Sequence, residues 1–327
     1  MKLIFELWGE HPDIPRAEIS CLGTVTDHRV QVAIADIADP VTVQRLAYTH
    51  RVMEYQGECS ADEKSFINML NCLNITTDQP FCGRVKKMDG SQMSLSTTQM
   101  ERLIGTYIEG PVSVSEPKTI FRAIASGDRI YFGTVLWELD RGPYHDRKPG
   151  NREFFHPGVM MPRMIRSLVN LAHAMPDEIV LDPFCGTGGT QIESELIGCT
   201  AIGTDADPFM IQGTRRNLPG SQAAIADVRH LPFPDGSIDL IVSDLPYGQS
   251  VFIIGSGLDD LYQHALAEML RVTKPRFRSV IVTHRDIRPL VARFFTICEY
   301  YEQRVHRSLT RRILVIMHDN GQSPIKG

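Results

Sequence analysis

The chain of 327 residues is 43% hydrophobic and 22% charged, ordinary values for a soluble globular protein of two or three domains. No apolar run reaches the ~20 residues needed to span a bilayer, and the N-terminus MKLIFELWGEHPDIP is too acidic, and its apolar part too short, for a signal peptide. Seven cysteines, odd in number and without a C-x-x-C pair, argue against a disulfide framework or a metal site and for reduced thiols in a cytoplasmic protein.

Along residues 1–58, KLIFEL reads as a strand and IPRAEISCLG as a helix. HRVQVAIADI alternates like a strand, and PVTVQRLAYT has helical spacing opened by a proline. Residues 59–140 repeat the style. DEKSFINMLNCL predicts an amphipathic helix, PFCGRVKKM a short strand with a basic end, and TTQMERLIGTYI a second helix. TIFRAIASGDRIYFGTVLWEL predicts a hairpin turning at Ser126-Gly127-Asp128. Two small α+β domains are expected. Residues 141–158, RGPYHDRKPGNREFFHPG, mix three prolines and three glycines with many charges and read as a linker.

A different grammar begins at residue 159. VMMPRMIRSLVNLAHAM predicts a long amphipathic helix. EIVLD, TAIGTD, AAIAD, IDLIVSD, RSVIVTH and RILVIMH predict apolar strands, the first two followed by helices over 188–196 and 208–217. Apolar strands alternating with helices imply a doubly wound, mostly parallel α/β sheet over 159–327, with its ligands at the C-terminal strand ends.

A net charge of −5 by itself disfavours a nucleic-acid binder, but its distribution points the other way. Residues 271–312 hold 11 Lys/Arg against 3 Asp/Glu, and residues 141–166 hold 6 against 2. The first 40 residues hold 3 against 7. Such asymmetry is compatible with a basic face on an acidic protein.

Strands of the C-terminal region end in Asp182, Asp205, Asp227 and Asp244. One Asp after a strand is ordinary turn or cap chemistry; four in succession line one edge of one sheet. Asp182 opens a glycine loop, DPFCGTGG, that is neither a G-x-G-x-x-G fingerprint nor a P-loop. An acid there disfavours pyrophosphate and favours an ammonium. Asp205 can take the two hydroxyls of a ribose, and Asp227 an adenine amino group. Amino acid, ribose and adenine without phosphate describe S-adenosylmethionine. Asp244-Leu245-Pro246-Tyr247 then faces the reacting methyl. A carboxylate and a backbone carbonyl accepting both N–H bonds of an exocyclic amine would aim its lone pair. Tyr247 offers a stacking face for a flipped base, worth roughly 1–3 kcal/mol.

DPFCGTGG, GTDAD, IADVRHLPF and SDLPYG resemble the motifs of class I amino-methyltransferases. REFFHPGVMMPRMIRSLVNLA (152–172) is similar to the linker and first helix of archaeal tRNA guanosine-10 N2-methyltransferases. RLAYTHRV, FCGRVKKMDGS and the hairpin resemble that family's N-terminal regions. The resemblance implies a ferredoxin-like domain over 1–58, a THUMP RNA-binding domain over 59–140 and a Rossmann-like methyltransferase domain over 159–327. It implies that Asp244 orients the guanine amine and Tyr247 stacks on the base, with Leu245 and Pro246 completing the catalytic corner. Asp182, Pro183, Phe184, Cys185, Gly186, Thr187, Gly188, Gly189, Asp205, Ala206, Asp227 and Val228 would hold the cofactor, and Phe155, His156 and Pro157 would close over its methionine end. Arg84, Lys86, Lys87, Arg147, Lys148, Arg276 and Arg278 are candidate RNA contacts. The partners implied are tRNA and a small zinc-binding methyltransferase activator protein used in the wider family, with neither DNA nor membrane. The family's usual corner is Asp-Pro-Pro-Tyr; Leu245 replaces one proline, which is expected to loosen the corner. Alternative readings are N2-methylation of another tRNA or ribosomal guanosine, such as guanosine 6 of tRNA, and a non-catalytic RNA-binding protein with a relic fold.

Overall fold

The computed structural model describes residues 1–247, 257–307 and 309–318. It divides into two compact units, Met1–Asp140 and Arg141–Gly327.

The first unit is built on one seven-stranded sheet. Its strands are β1 (Lys2–Leu7), β2 (Gly23–Arg29), β3 (Val32–Ile37), β4 (Thr49–Ser60), β5 (Phe81–Lys87), β6 (Thr119–Ser126) and β7 (Arg129–Glu138), in the order β2-β3-β1-β4-β7-β6-β5. Only β5–β6 pairs in parallel; the other neighbours are antiparallel. The β4 strand runs across position 58/59, so the two N-terminal stretches share a sheet. The predicted hairpin is β6–β7, turning at Gly127 with φ +56°, a conformation glycine adopts without steric cost. The helix Glu63–Leu73 starts where Asp62 accepts the Ser65 amide at 2.8 Å. The helix Thr97–Tyr107 starts at a reciprocal capping box of Ser96 and Gln99. Phe66, Leu70, Met100 and Ile104 on these helices bury against Phe81, Phe121 and Phe132 of the sheet. Two of the expected elements differ. IPRAEISCLG is a four-residue helix continued by a 3-10 turn, and PVTVQR is a 3-10 turn. In both, one or two turns are all the chain fits between strands.

In the second unit, β8 (Ile179–Asp182), β9 (Thr200–Asp205), β10 (Gln222–Ile225), β11 (Leu240–Asp244), β12 (Arg278–Thr283), β13 (Thr296–His306) and β14 (Leu309–Met317) lie in the order β10-β9-β8-β11-β12-β14-β13. The first five are parallel. The β14 strand inserts antiparallel between β12 and β13. Chain order reverses between β8 and β11, which opens a crevice at the carboxyl ends of the parallel strands. The core under that crevice includes Leu181, Ile241, Leu245, Tyr262, Leu266, Ile281 and Leu314. All seven cysteines are free thiols, and among the described residues no helix is long and apolar enough to cross a membrane.

Candidate active site

A cavity of about 360 Å³ lies at the carboxyl ends of β8, β9 and β11. Asp182, the last residue of β8, is 4% exposed. It accepts the Ser243 hydroxyl at 2.6 Å and the Phe184 amide at 3.1 Å. Burial outweighs these bonds and pushes its pKa up to about 6. Asp205 ends β9 and accepts the Gly186 amide at 3.0 Å and the Asp207 amide at 2.9 Å; burial raises its pKa as well. No basic side chain pairs with either carboxylate among the described residues. Two buried acids without a cation suit a ligand carrying an ammonium and hydroxyls, and repel one carrying phosphate. That is the donor set S-adenosylmethionine requires.

Between them the glycine loop bends through the left-handed region at Gly186 (φ +52°) and Gly188 (φ +81°). A Cβ on Gly188 would come within 2.9 Å of Thr214 Cγ2. Thr214 and Asn217, both on the helix Pro208–Asn217, hold the loop. Thr214 Oγ1 donates to Gly186 O at 2.8 Å, and Asn217 Nδ2 donates to Thr187 O at 3.0 Å. Asn217 also exchanges two hydrogen bonds with the Phe154 backbone, at 2.8 and 2.9 Å, and so fixes the 152–157 segment beside the loop.

The third wall is the corner after β11. Asp244 accepts the Tyr247 hydroxyl at 2.8 Å. Burial raises its pKa to about 7, against the opposing pull of that bond and of the Arg311 charge. Tyr262, fully buried on the helix Leu258–Val272, donates its hydroxyl to Pro246 O at 2.5 Å. Leu245 corrects an expectation. Its side chain is 1% exposed and packed in the core, and its amide donates to Val282 O at 2.9 Å, a bond proline cannot make. Leucine here ties the corner to β12 instead of loosening it. Gly248, the last residue of the SDLPYG motif, lies outside the described residues.

Of the residues expected to hold the cofactor, His156, Pro157, Asp182, Phe184, Cys185, Gly186, Thr187, Gly189, Asp205 and Ala206 border the cavity, together with Asp244, Leu245, Pro246 and Tyr247. Phe155, Pro183, Gly188, Asp227 and Val228 do not. Phe155 is 56% exposed and Val228 is in the core. Asp227 lies two residues beyond β10, paired with Arg229 at 2.5 Å, which holds its carboxyl below the usual range. Ile165, Met160, Thr190, Asp207 and Met210 border the cavity without having been expected there. They arrive from helices and loops whose sequence carries no motif.

The candidate RNA contacts are mostly engaged within the protein. Arg84 donates to Val114 O at 3.2 Å, and Lys87 Nζ to the Met93 and Leu95 carbonyls. Arg147 pairs with Glu193, and Arg278 bonds Leu171 O and Glu299. Lys148 is half-buried; Lys86 and Arg276 are exposed.

Residues 149–313 match the family described as UPF0020: RMKL-like, methyltransferase domain. The chain is 30% identical to the tRNA (guanine(10)-N2)-dimethyltransferase of Methanothermobacter thermautotrophicus, over 97% of this chain and 99% of that one. It is 26% identical to the enzyme of the same name from Pyrococcus abyssi, over 95% and 98%. Among solved structures, TrmN from Thermus thermophilus shares the fold, with a TM-score of 0.53 at 19% identity over 97% of this chain and 100% of that one. Strand order and crevice define a Rossmann-like methyltransferase. The chain belongs to the RMKL-like methyltransferase family, together with the archaeal tRNA (guanine(10)-N2)-dimethyltransferases.

Proposed function

We propose that this protein transfers a methyl group from S-adenosylmethionine to N2 of guanosine 10 in tRNA, giving N2-methyl- and N2,N2-dimethylguanosine. The observation that carries the reading is the end-to-end match to enzymes of that name, in a chain whose cavity brings Asp182, Asp205, Asp244 and Tyr247 together. Asp182 receives the cofactor's ammonium, Asp205 its ribose hydroxyls, and His156 and Pro157 border its methionine end. When bound, the cofactor supplies an electrophilic methyl group.

Guanine N2 is a weak nucleophile because its lone pair is delocalised into the ring. Asp244 and the Leu245 carbonyl accept its two N–H bonds and turn that lone pair toward the methyl, so positioning and electrostatics supply the rate. A carboxyl group with a pKa of about 7 is also matched to receiving the proton that N2 sheds near neutral pH. The Tyr262 bond to Pro246 O and the Leu245 bond to Val282 O keep the acceptors from drifting.

The ferredoxin-like (1–58) and THUMP (59–140) assignments, their grip on the acceptor end of tRNA, and a cytoplasmic location belong to the same proposal, on the strength of the sequence resemblance. So does a small zinc-binding activator partner. Full activity of the purified chain, unchanged by such a protein, would remove that partner. The test of the function is incubation with unmodified tRNA transcripts and labelled methyl donor, with the product mapped by nuclease digestion and mass spectrometry.

A further inference from the structure

We infer that Arg311 is a positioning residue of the catalytic corner, holding the Tyr247 phenol and, through it, the Asp244 carboxylate in place for the amine. The inference rests on the reading of Asp244 as amine acceptor and adds a residue that no motif marks.

Sheet register places Arg311 there. Asp244 is beside Val282, and Val282 is beside Ile313. Side chains alternate along a strand, so Arg311, two residues before Ile313, shares the face of Asp244. Because β14 runs antiparallel to β12, Arg311 also lies beyond the end of β12, at the edge where Asp244 stands. Its side chain hydrogen-bonds the Tyr247 hydroxyl, and that hydroxyl donates to Asp244 Oδ1. The guanidinium donating to the phenol oxygen commits the phenol proton to Asp244. Bonds chained in this way strengthen one another. One carboxylate oxygen is thus engaged, and the other is left for the guanine amine.

The rest of Arg311 argues against a merely structural role. It makes no ion pair with a carboxylate among the described residues, and its Nε is buried without a hydrogen-bond partner. A buried guanidinium left partly unsatisfied is costly, and such groups call for a functional reason. The adjacent Arg312 shows the ordinary alternative: it donates to His284 O and pairs with Glu302 at 3.2 Å. The groups facing Asp244 are Asp182 from β8, Tyr247 on its own corner, Tyr262 from the helix Leu258–Val272, and Arg311 from β14. His284, after β12, meets the Tyr247 ring at 4.8 Å. Arg311 is the cation that PROPKA-independent register places on the face of Asp244, and its charge favours the ionised acid.

Two readouts test this on the full chain. The first is the titration of the Asp244 carboxyl by ¹³C NMR, assigned through its loss in Asp244→Asn. The second is the pH profile of methyl transfer. Arg311→Gln is expected to raise the carboxyl midpoint by about one pH unit and to lower the rate at pH 6.5 by about tenfold. Arg311→Lys, which keeps the charge, is expected to recover part of both. Arg311→Met is the second charge-free variant should Arg311→Gln not fold. Titration midpoints and pH profiles identical in wild type and variants, with only the melting temperature changed, would overturn the role of Arg311. An inactive wild type whose Asp244 midpoint still moves with Arg311 would instead overturn the functional reading and leave the positioning intact.

Discussion

Asp244 carries the largest burden at the scale of single residues. Asp244→Ala removes one of two acceptors for the amine, and about 10²–10³-fold of the turnover should go with it, while tRNA affinity measured by filter binding stays near wild type. The pH dependence follows from the direction of the shifts. Asp182 and Asp244 have folded-state pKa values raised by burial, to about 6 and about 7. Their protonated forms therefore favour folding, and that contribution is lost as pH rises from about 4 through these values. Activity needs the Asp244 carboxylate, so the rate should climb over the same upper range where stability declines. Asp182→Asn isolates the trade. It keeps an acceptor for Ser243 and the Phe184 amide but sheds the buried charge. It should gain about 1–2 kcal/mol of unfolding free energy at pH 8 and weaken S-adenosylmethionine binding in calorimetry. Leu245→Pro deletes the amide bond to Val282 and should cost about 1–3 kcal/mol in urea unfolding. The four acids and the corner were legible because each ends a strand and stands in a recognisable run. Asn217, Thr214 and Arg311 were not, because each acts through a contact with a distant segment, and a lone polar residue on a helix or edge strand gives no periodic sign of that.

At the scale of elements, the 141–158 segment differs from the linker its composition suggests. It contains the helix Gly142–Asp146, and its Arg147 reaches Glu193 at 2.8 and 3.2 Å. Glu193 is completely buried on the helix Gly189–Glu195 and also holds Arg166 at 2.9 Å. One carboxylate thus fastens this segment and the helix Pro162–Leu171 to the helix that follows the glycine loop. Prolines and glycines shape such a segment, and whether it packs or swings is decided by a partner far along the chain. Glu193→Ala leaves two guanidiniums facing an empty site and should lower the unfolding free energy by about 3–5 kcal/mol; a loss under about 1 kcal/mol would show that the cluster is not holding these elements. The apolar strands β8, β9, β11, β12 and β14 announce themselves by continuous burial. The β2 and β13 strands do not. TICEYYEQRVH is polar and largely exposed along an edge, and GTVTDHR buries none of its residues fully. Their pairing is dictated by the neighbouring strand.

At the scale of the molecule, the division at Asp140/Arg141 separates a unit holding the cavity from one whose proposed role is to hold tRNA. A fragment of residues 141–327 should therefore bind S-adenosylmethionine as the full chain does, yet methylate tRNA about 100-fold more slowly, the loss expected when one of two linked binding modules is removed. Equal rates would mean that the first unit contributes nothing to substrate capture. The most direct test of the whole reading is the product itself. Wild-type protein incubated with an unmodified tRNA transcript and labelled S-adenosylmethionine should yield N2-methylated guanosine at position 10 alone, and a transcript carrying inosine there, which lacks the N2 amine, should take up no label. Methyl transfer to the inosine transcript, or to any other position of the guanosine transcript, would contradict it.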